Sequence, residues 1–157
     1  VLDKCEEPRV KYKQPVSVLV VIHTPRLDVL LLERAAYPGF WQSVTGSLED
    51  DEGLAEAAVR ETAEETGIDG RKYALSDWDV TNRYEIFKHW RNRYAPGVMY
   101  NTEHVFGLRV PDRLPVVLAA GEHVAHEWLP WAEAAAKVFS WSNREAILML
   151  PHRYRKT

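Results

Sequence analysis

An α+β fold, with a mixed β-sheet held between helices, is what this sequence predicts. Three observations carry it: β-branched apolar runs near the start, a glycine-terminated helix in the middle, and strand-like segments that do not alternate strictly with helices. One domain is expected, because 157 residues can bury a core without disulfides or metal staples.

Each element follows from local chemistry. Residues 1–12 are polar and charged and contain Pro8, the composition of a terminal arm. PVSVLVVIH, 15–23, has the β-branched apolar content of a buried strand, and DVLLLER, 28–34, follows a turn-length break as its hairpin partner. AAYPGFWQSVTGS is punctuated by proline and glycine and reads as a loop with a short strand at about 41–45. A helix is expected over roughly 53–66, closed by Gly67 as a left-handed C-cap. Residues 73–95, 103–111 and 114–130 hold several strand-like segments separated by turns. LPWAEAAAKV begins like a short helix, and in SWSNREAILMLP Ser142 is expected as an N-cap, with Glu145 completing a capping box. The domain is placed at 13–150, with 151–157 as a tail.

Composition narrows the partners. A formal net charge of −3 gives no general attraction to nucleic acid, and HWRNRY alone does not make a basic stripe interleaved with aromatics. Cys5 is the only cysteine, so neither an intrachain disulfide nor a thiolate metal cage is expected. Apolar runs such as VSVLVVI are too short to cross a bilayer and no charged-then-apolar leader opens the chain, so a cytoplasmic protein without membrane attachment is expected. Oligomeric state is not legible in the sequence.

The chemistry concentrates in GSLEDDEGLAEAAVRETAEETGI, 46–68. At ~100° per residue, Glu61 lies about 40° from Glu65 and about 60° from Glu64, so three carboxylates converge. The opposite face, with Ala55, Val59, Thr62, Ala63 and Thr66, is expected to dock on the sheet. A solvated acidic face with an Arg60–Glu64 pair accounts for part of this pattern. It does not account for like charges at Glu61 and Glu65 near the helix C-terminus, where the dipole disfavours anions. A hard divalent cation converts that repulsion into binding, since Mg²⁺ prefers carboxylate oxygens beside substrate phosphates. Spacing alone leaves both readings open.

Gly46, Glu52, Arg60, Glu61, Glu64, Glu65, Gly67 and Ile68, at these intervals, resemble the signature of the Nudix hydrolases. Thr62 departs from it, standing where that signature has a bulky aliphatic residue. The resemblance implies a Nudix-type α/β/α sandwich with a loop-helix-loop catalytic motif, in which Glu61, Glu64 and Glu65 face a divalent metal while Arg60 and Glu52 brace the turn. KQPVSVLVVI, FWQSVTGSLE, EIFKHWRNRYAPGV, NTEHVF, EHVAHEWL and SWSNREAI extend the likeness to the branch of the family acting on dihydroneopterin triphosphate and dATP.

That closer likeness implies metal ligation by Glu61, Glu65 and Glu122, with Mg²⁺ or Mn²⁺ as the ion and Glu64 or Glu122 as the base. It also implies a small triphosphate substrate held by Lys13, Arg34, Thr45, Tyr84, Glu85, Ile86, Phe87 and Ser140. His123 and His126, close to Glu122 in sequence, are expected to support the metal ligands. Pool-cleansing hydrolysis of deoxynucleoside triphosphates is the alternative. Tyr84 keeps a dinucleoside polyphosphate hydrolase open as well.

Overall fold

The computed structural model describes residues 11–154. The expected terminal arm lies almost wholly outside the described residues, as does the end of the expected tail.

The strands are β1 (Val16–His23), β2 (Asp28–Arg34), β3 (Trp41–Gln42), β4 (Val44–Ser47), β5 (Ala74–Glu85), β6 (Tyr100–Arg109) and β7 (His123–Pro130). The helices are α1 (Leu54–Thr66), α2 (Trp131–Lys137), α3 (Trp141–Leu148) and α4 (Leu150–Arg153), with 3₁₀ turns at Gly70–Lys72 and Lys88–Arg93. All seven strands join one mixed sheet. β1 runs parallel to β6 and antiparallel to β4, so the sheet mixes both ladder types as expected.

β1 and β2 meet at His23 and Val29 and then part. β1 takes β4 on that side, while β2 pairs with β3 and β7. The side chains of β1 alternate between two cores, as the period of a strand requires. Leu19 and Val21 pack with Trp78, Val105, Ala134, Ala135 and Ile147 under α2 and α3. Val18, Val20 and Ile22 pack with Ala57, Ala58, Phe106 and Leu108 under α1.

Three expectations are corrected. The docking face of α1 runs through Ala57, Ala58, Thr62, Glu65 and Thr66, whereas Ala55 and Ala63 are exposed. The stripe is therefore rotated, and it carries Glu65 inward with it. The N-cap of α3 is Ser140, whose hydroxyl accepts from the Asn143 N–H at 3.2 Å; Ser142 is buried inside the first turn. The helix starts early because Phe139 donates to the Trp41 carbonyl, which holds the preceding chain extended. Finally, 114–118 forms no strand: Leu114, Val116 and Leu118 pack against the α1-side core, and Val117 donates to the Thr66 carbonyl. Apolar content alone marked that stretch, and burial does not require a ladder.

The residues after Pro151 are partly structural. Arg153 donates to the Trp78 carbonyl at 2.8 Å, and the Tyr154 ring lies 4.5 Å from that of His23.

Candidate active site

The motif turn is built around Arg60. Its Nε and one terminal nitrogen bind the two oxygens of Glu52 at 2.7 and 2.9 Å, and that same terminal nitrogen reaches the Ser47 carbonyl at 3.0 Å. The other terminal nitrogen binds Glu61 at 2.8 Å and Glu64 at 3.1 Å. Only a planar guanidinium supplies donors in so many fixed directions, which ties the loop before α1 to the acids on it. Glu52 is held below its ordinary carboxylate range by these bonds, and its other neighbour is the Glu49 N–H at 3.1 Å.

Gly46 is a matter of space. A Cβ there would stand 2.1 Å from the carboxyl carbon of Glu61. At the far end of α1, Gly67 adopts φ 73° and donates to the Ala63 carbonyl, the left-handed cap that stops the helix.

The three motif acids occupy different environments. Glu64 is exposed. Glu61 is largely covered, and burial pushes its carboxyl up to about 7 despite the bonds from Arg60; Glu64 and Glu122 add to the rise. Glu65 is only 4% exposed, and burial followed by the charge of Glu61 raises it well above the carboxylate range. Its one donor among the described residues is the Thr45 N–H, at a long 3.3 Å. That N–H lies along β4, which pairs with β1 alone among the described strands. The acids of α1 thus come round the edge of β4 into a cleft of ≈ 700 Å³.

Glu61, Glu65 and Glu122 line this cleft, and Glu64 does not. Glu122 arrives on the loop before β7, where its carbonyl accepts from the Ala35 N–H at 2.9 Å. Among the described residues, Glu65, Glu122 and His123 bring ligand atoms within 4.8 Å of one another. Carboxylate oxygens, crowded and short of donors, fit a hard divalent cation. His123 Nε2 lies 3.3 Å from the Gln42 amide, and burial lowers its pKa and favours the neutral ring. His126 does not line the cleft.

The residues expected to meet substrate, Lys13, Arg34, Thr45, Tyr84, Glu85, Ile86, Phe87 and Ser140, all line the same cleft. Lys13 is anchored by its N–H to the Arg93 carbonyl, and crowding by protein, then by Arg93, lowers its pKa while Glu61 and Glu65 oppose that. Arg34 lies over the rings of Tyr37 and Trp90, 5.3 and 4.8 Å from their centres, so it is not consumed by Glu33, which accepts from the Gly39 N–H. The Thr45 hydroxyl is engaged with the Val18 carbonyl at 3.0 Å. Ile86 is buried and Phe87 is 53% exposed beside His89 and Trp90, so Phe87 is not a core residue. Glu85 is paired with Arg91.

Several lining residues had no expected part in the site: Arg93, Trp90, Asn101, Glu103 and the α3 residues Ser142 and Asn143. Arg93 and Trp90 belong to HWRNRY, whose basic and aromatic character was visible but had no place until the 3₁₀ turn set it on the cleft rim.

The NUDIX domain family profile matches residues 13–150. The chain belongs to the Nudix family. Nudix hydrolases depend on divalent metal and cleave phosphorus-containing acid anhydrides. This Nudix chain is 49% identical to dihydroneopterin triphosphate diphosphatase of Escherichia coli (strain K12) over 139 residues, covering 87% of this chain and 91% of that protein. It is 40% identical to the Haemophilus influenzae protein of the same name over 140 residues, 87% of each. The structure of the E. coli dihydroneopterin triphosphate pyrophosphohydrolase superposes with a TM-score of 0.83 at 47% identity, covering 90% of this chain and 98% of that one. No helix among the described residues is long and apolar enough to cross a membrane.

Proposed function

We propose that this Nudix hydrolase converts dihydroneopterin triphosphate to dihydroneopterin monophosphate and pyrophosphate, and also accepts dATP and other nucleoside triphosphates. One observation carries the reading: the covered acids Glu61 and Glu65 share a cleft with Lys13, Arg34 and Arg93, so sites for a cation and for phosphate oxygens lie side by side. The names of the relatives and the extent of the match support this substrate.

Glu61, Glu65 and Glu122 would hold Mg²⁺, with Mn²⁺ as the alternative; Glu122 and His123 are near enough to Glu65 to share one ion. Such a cation neutralises phosphate charge and makes water a better nucleophile at neutral pH. Lys13, Arg34 and Arg93 hold the phosphate oxygens by charge-assisted hydrogen bonds and fix the chain for in-line displacement. One water is added across the anhydride between the α- and β-phosphates: a phosphorus–oxygen bond forms, the bridging bond breaks, and the proton passes to a carboxylate and then to solvent. Of the two carboxylates expected to take it, Glu64 is tied to Arg60 outside the cleft whereas Glu122 lines it, so Glu122 suits the task better when Glu61 and Glu65 carry the ion. Phe87 and Trp90 present ring surface for the flat heterocycle.

A panel of dihydroneopterin triphosphate, dATP and a dinucleoside tetraphosphate, read by pyrophosphate release with Mg²⁺ present, tests this. The expected result is pyrophosphate from the first two, with the higher kcat/KM on dihydroneopterin triphosphate. Absence of pyrophosphate from every triphosphate would sink the reading.

A further inference from the structure

The floor of the cleft holds a polar group that neither the metal nor the phosphates explain. Glu103 on β6 is 3% exposed, and its Oε1 has no hydrogen-bond partner among the described residues. Its Oε2 meets the Tyr84 hydroxyl at 3.5 Å, with the Ser142 and Asn82 side chains also beside the carboxylate. Two residues back on the same strand face, Asn101 is 2% exposed; its amide nitrogen donates to Ser17 Oγ at 2.8 Å and lies 3.0 Å from the Tyr84 hydroxyl, while its Oδ1 is unpartnered. Ser17, Tyr84, Asn101 and Glu103 all line the cleft. Leaving a buried acceptor unsatisfied is costly, more so for a charged one, so two adjacent orphans facing a cavity call for a ligand that donates.

Position supports this. β1 pairs Leu19 with Thr45 and Ser17 with Glu103, which puts the Glu103 backbone two strands across and two residues along from Thr45, about 12 Å away. Thr45 marks the acid end of the cleft through its bond to Glu65. A sugar or short polyol followed by a fused ring bridges that separation, with the phosphates at one end and the far edge of the ring at the other.

We propose that Glu103, with Asn101 beside it, reads the edge of the ligand's heterocycle by accepting from the adjacent ring N–H and amino group of a 2-amino-4-oxopyrimidine. This deepens the proposed function and rests on it for the substrate's phosphate end. Pterins and guanine carry that donor pair. Adenine offers one donor beside a ring acceptor, and hypoxanthine lacks the amino group. The cleft is thus built to rank its triphosphates by one ring edge.

The test compares kcat/KM for dihydroneopterin triphosphate, dGTP, dITP and dATP in the wild type and in Glu103→Gln, read by pyrophosphate release. A hydrogen bond to a charged group contributes roughly 1.5–3 kcal/mol, so wild-type dGTP should exceed dITP by about tenfold or more. Glu103→Gln should bring that ratio toward one. Equal turnover of dGTP and dITP by the wild type overturns the assignment without reference to any variant, and so does a Glu103→Gln protein that scales all four substrates by one factor. If the wild type releases no pyrophosphate at all, the proposed reaction fails, and binding then decides the edge reading separately. Guanosine and neopterin binding more tightly than inosine in the wild type, and not in Glu103→Gln, supports it; equal binding overturns it.

Discussion

The carboxylate of Glu61 lies directly over the backbone of Gly46, so close that a Cβ on Gly46 would stand 2.1 Å from its carboxyl oxygen and carboxyl carbon alike. The obstructing group is the end of a side chain rather than backbone, so Gly46→Ala should fold and push Glu61 aside. We expect at least a hundredfold loss of Mg²⁺-dependent kcat with the circular dichroism spectrum retained, as misplacing a group by about 1 Å costs on that order. Normal turnover in Gly46→Ala would show that the seat of Glu61 is irrelevant to chemistry.

Glu65→Gln separates function from stability. Burial raises Glu65, and it raises Glu61 to about 7, so in the metal-free protein the protonated forms are favoured. The contribution of Glu61 is full below about pH 4.5 and is lost as pH rises through 7, and that of Glu65 changes in the same direction. At pH 8 with a chelator present, Glu65→Gln should therefore melt higher than the wild type, by roughly 2–4 °C for each kcal/mol recovered. Added Mg²⁺ should raise the wild-type Tm and barely move the variant, whose turnover should be abolished. Near-normal turnover of Glu65→Gln at saturating Mg²⁺ would remove Glu65 from the metal site.

Arg60→Lys keeps the charge and loses the fork. A lysine cannot bind both oxygens of Glu52 and still reach Glu61 and the Ser47 carbonyl. Urea denaturation should show a loss of about 2 kcal/mol, below the full cost of breaking a buried pair because Arg60 is partly exposed. An unchanged midpoint would mean that the brace contributes only to positioning.

His23 predicts an acid limb of its own. The residue is fully buried, neither ring nitrogen has a side-chain partner among the described residues, and burial, then Arg109, lowers its pKa from 6.5 to about 4. Folding therefore favours the neutral ring. Its contribution is complete above about pH 6.5 and is lost as pH falls through 4, about 3 kcal/mol over the whole window. The raised acids act in the opposite direction over much of the same range, so the comparison must be between proteins. His23→Leu should lose less stability than the wild type between pH 7 and pH 5, measured by denaturant titration; identical losses would mean that His23 titrates normally.

Much of the site was legible before folding was considered, and the limits have a physical origin. The convergence of Glu61, Glu64 and Glu65 follows from helical periodicity, and Gly67 as a stop follows from the left-handed conformation that glycine alone adopts freely. β1 and β2 were readable from their β-branched content. These properties belong to residues within a turn or two of one another.

Burial is decided by what the rest of the chain brings against a face, and spacing holds no record of it. The sequence placed Glu61 and Glu65 on a displayed acidic edge, whereas the packed helix turns Glu65 inward and leaves only Glu64 in solvent. Glu103 and Asn101 read as unremarkable strand residues until the parallel pairing of β6 with β1 laid them beside Ser17 on the cleft floor. Local sequence determined which side chains could share a helix face or end a helix. Only the tertiary structure decided which of them lost water, because desolvation depends on contacts between segments far apart in the chain.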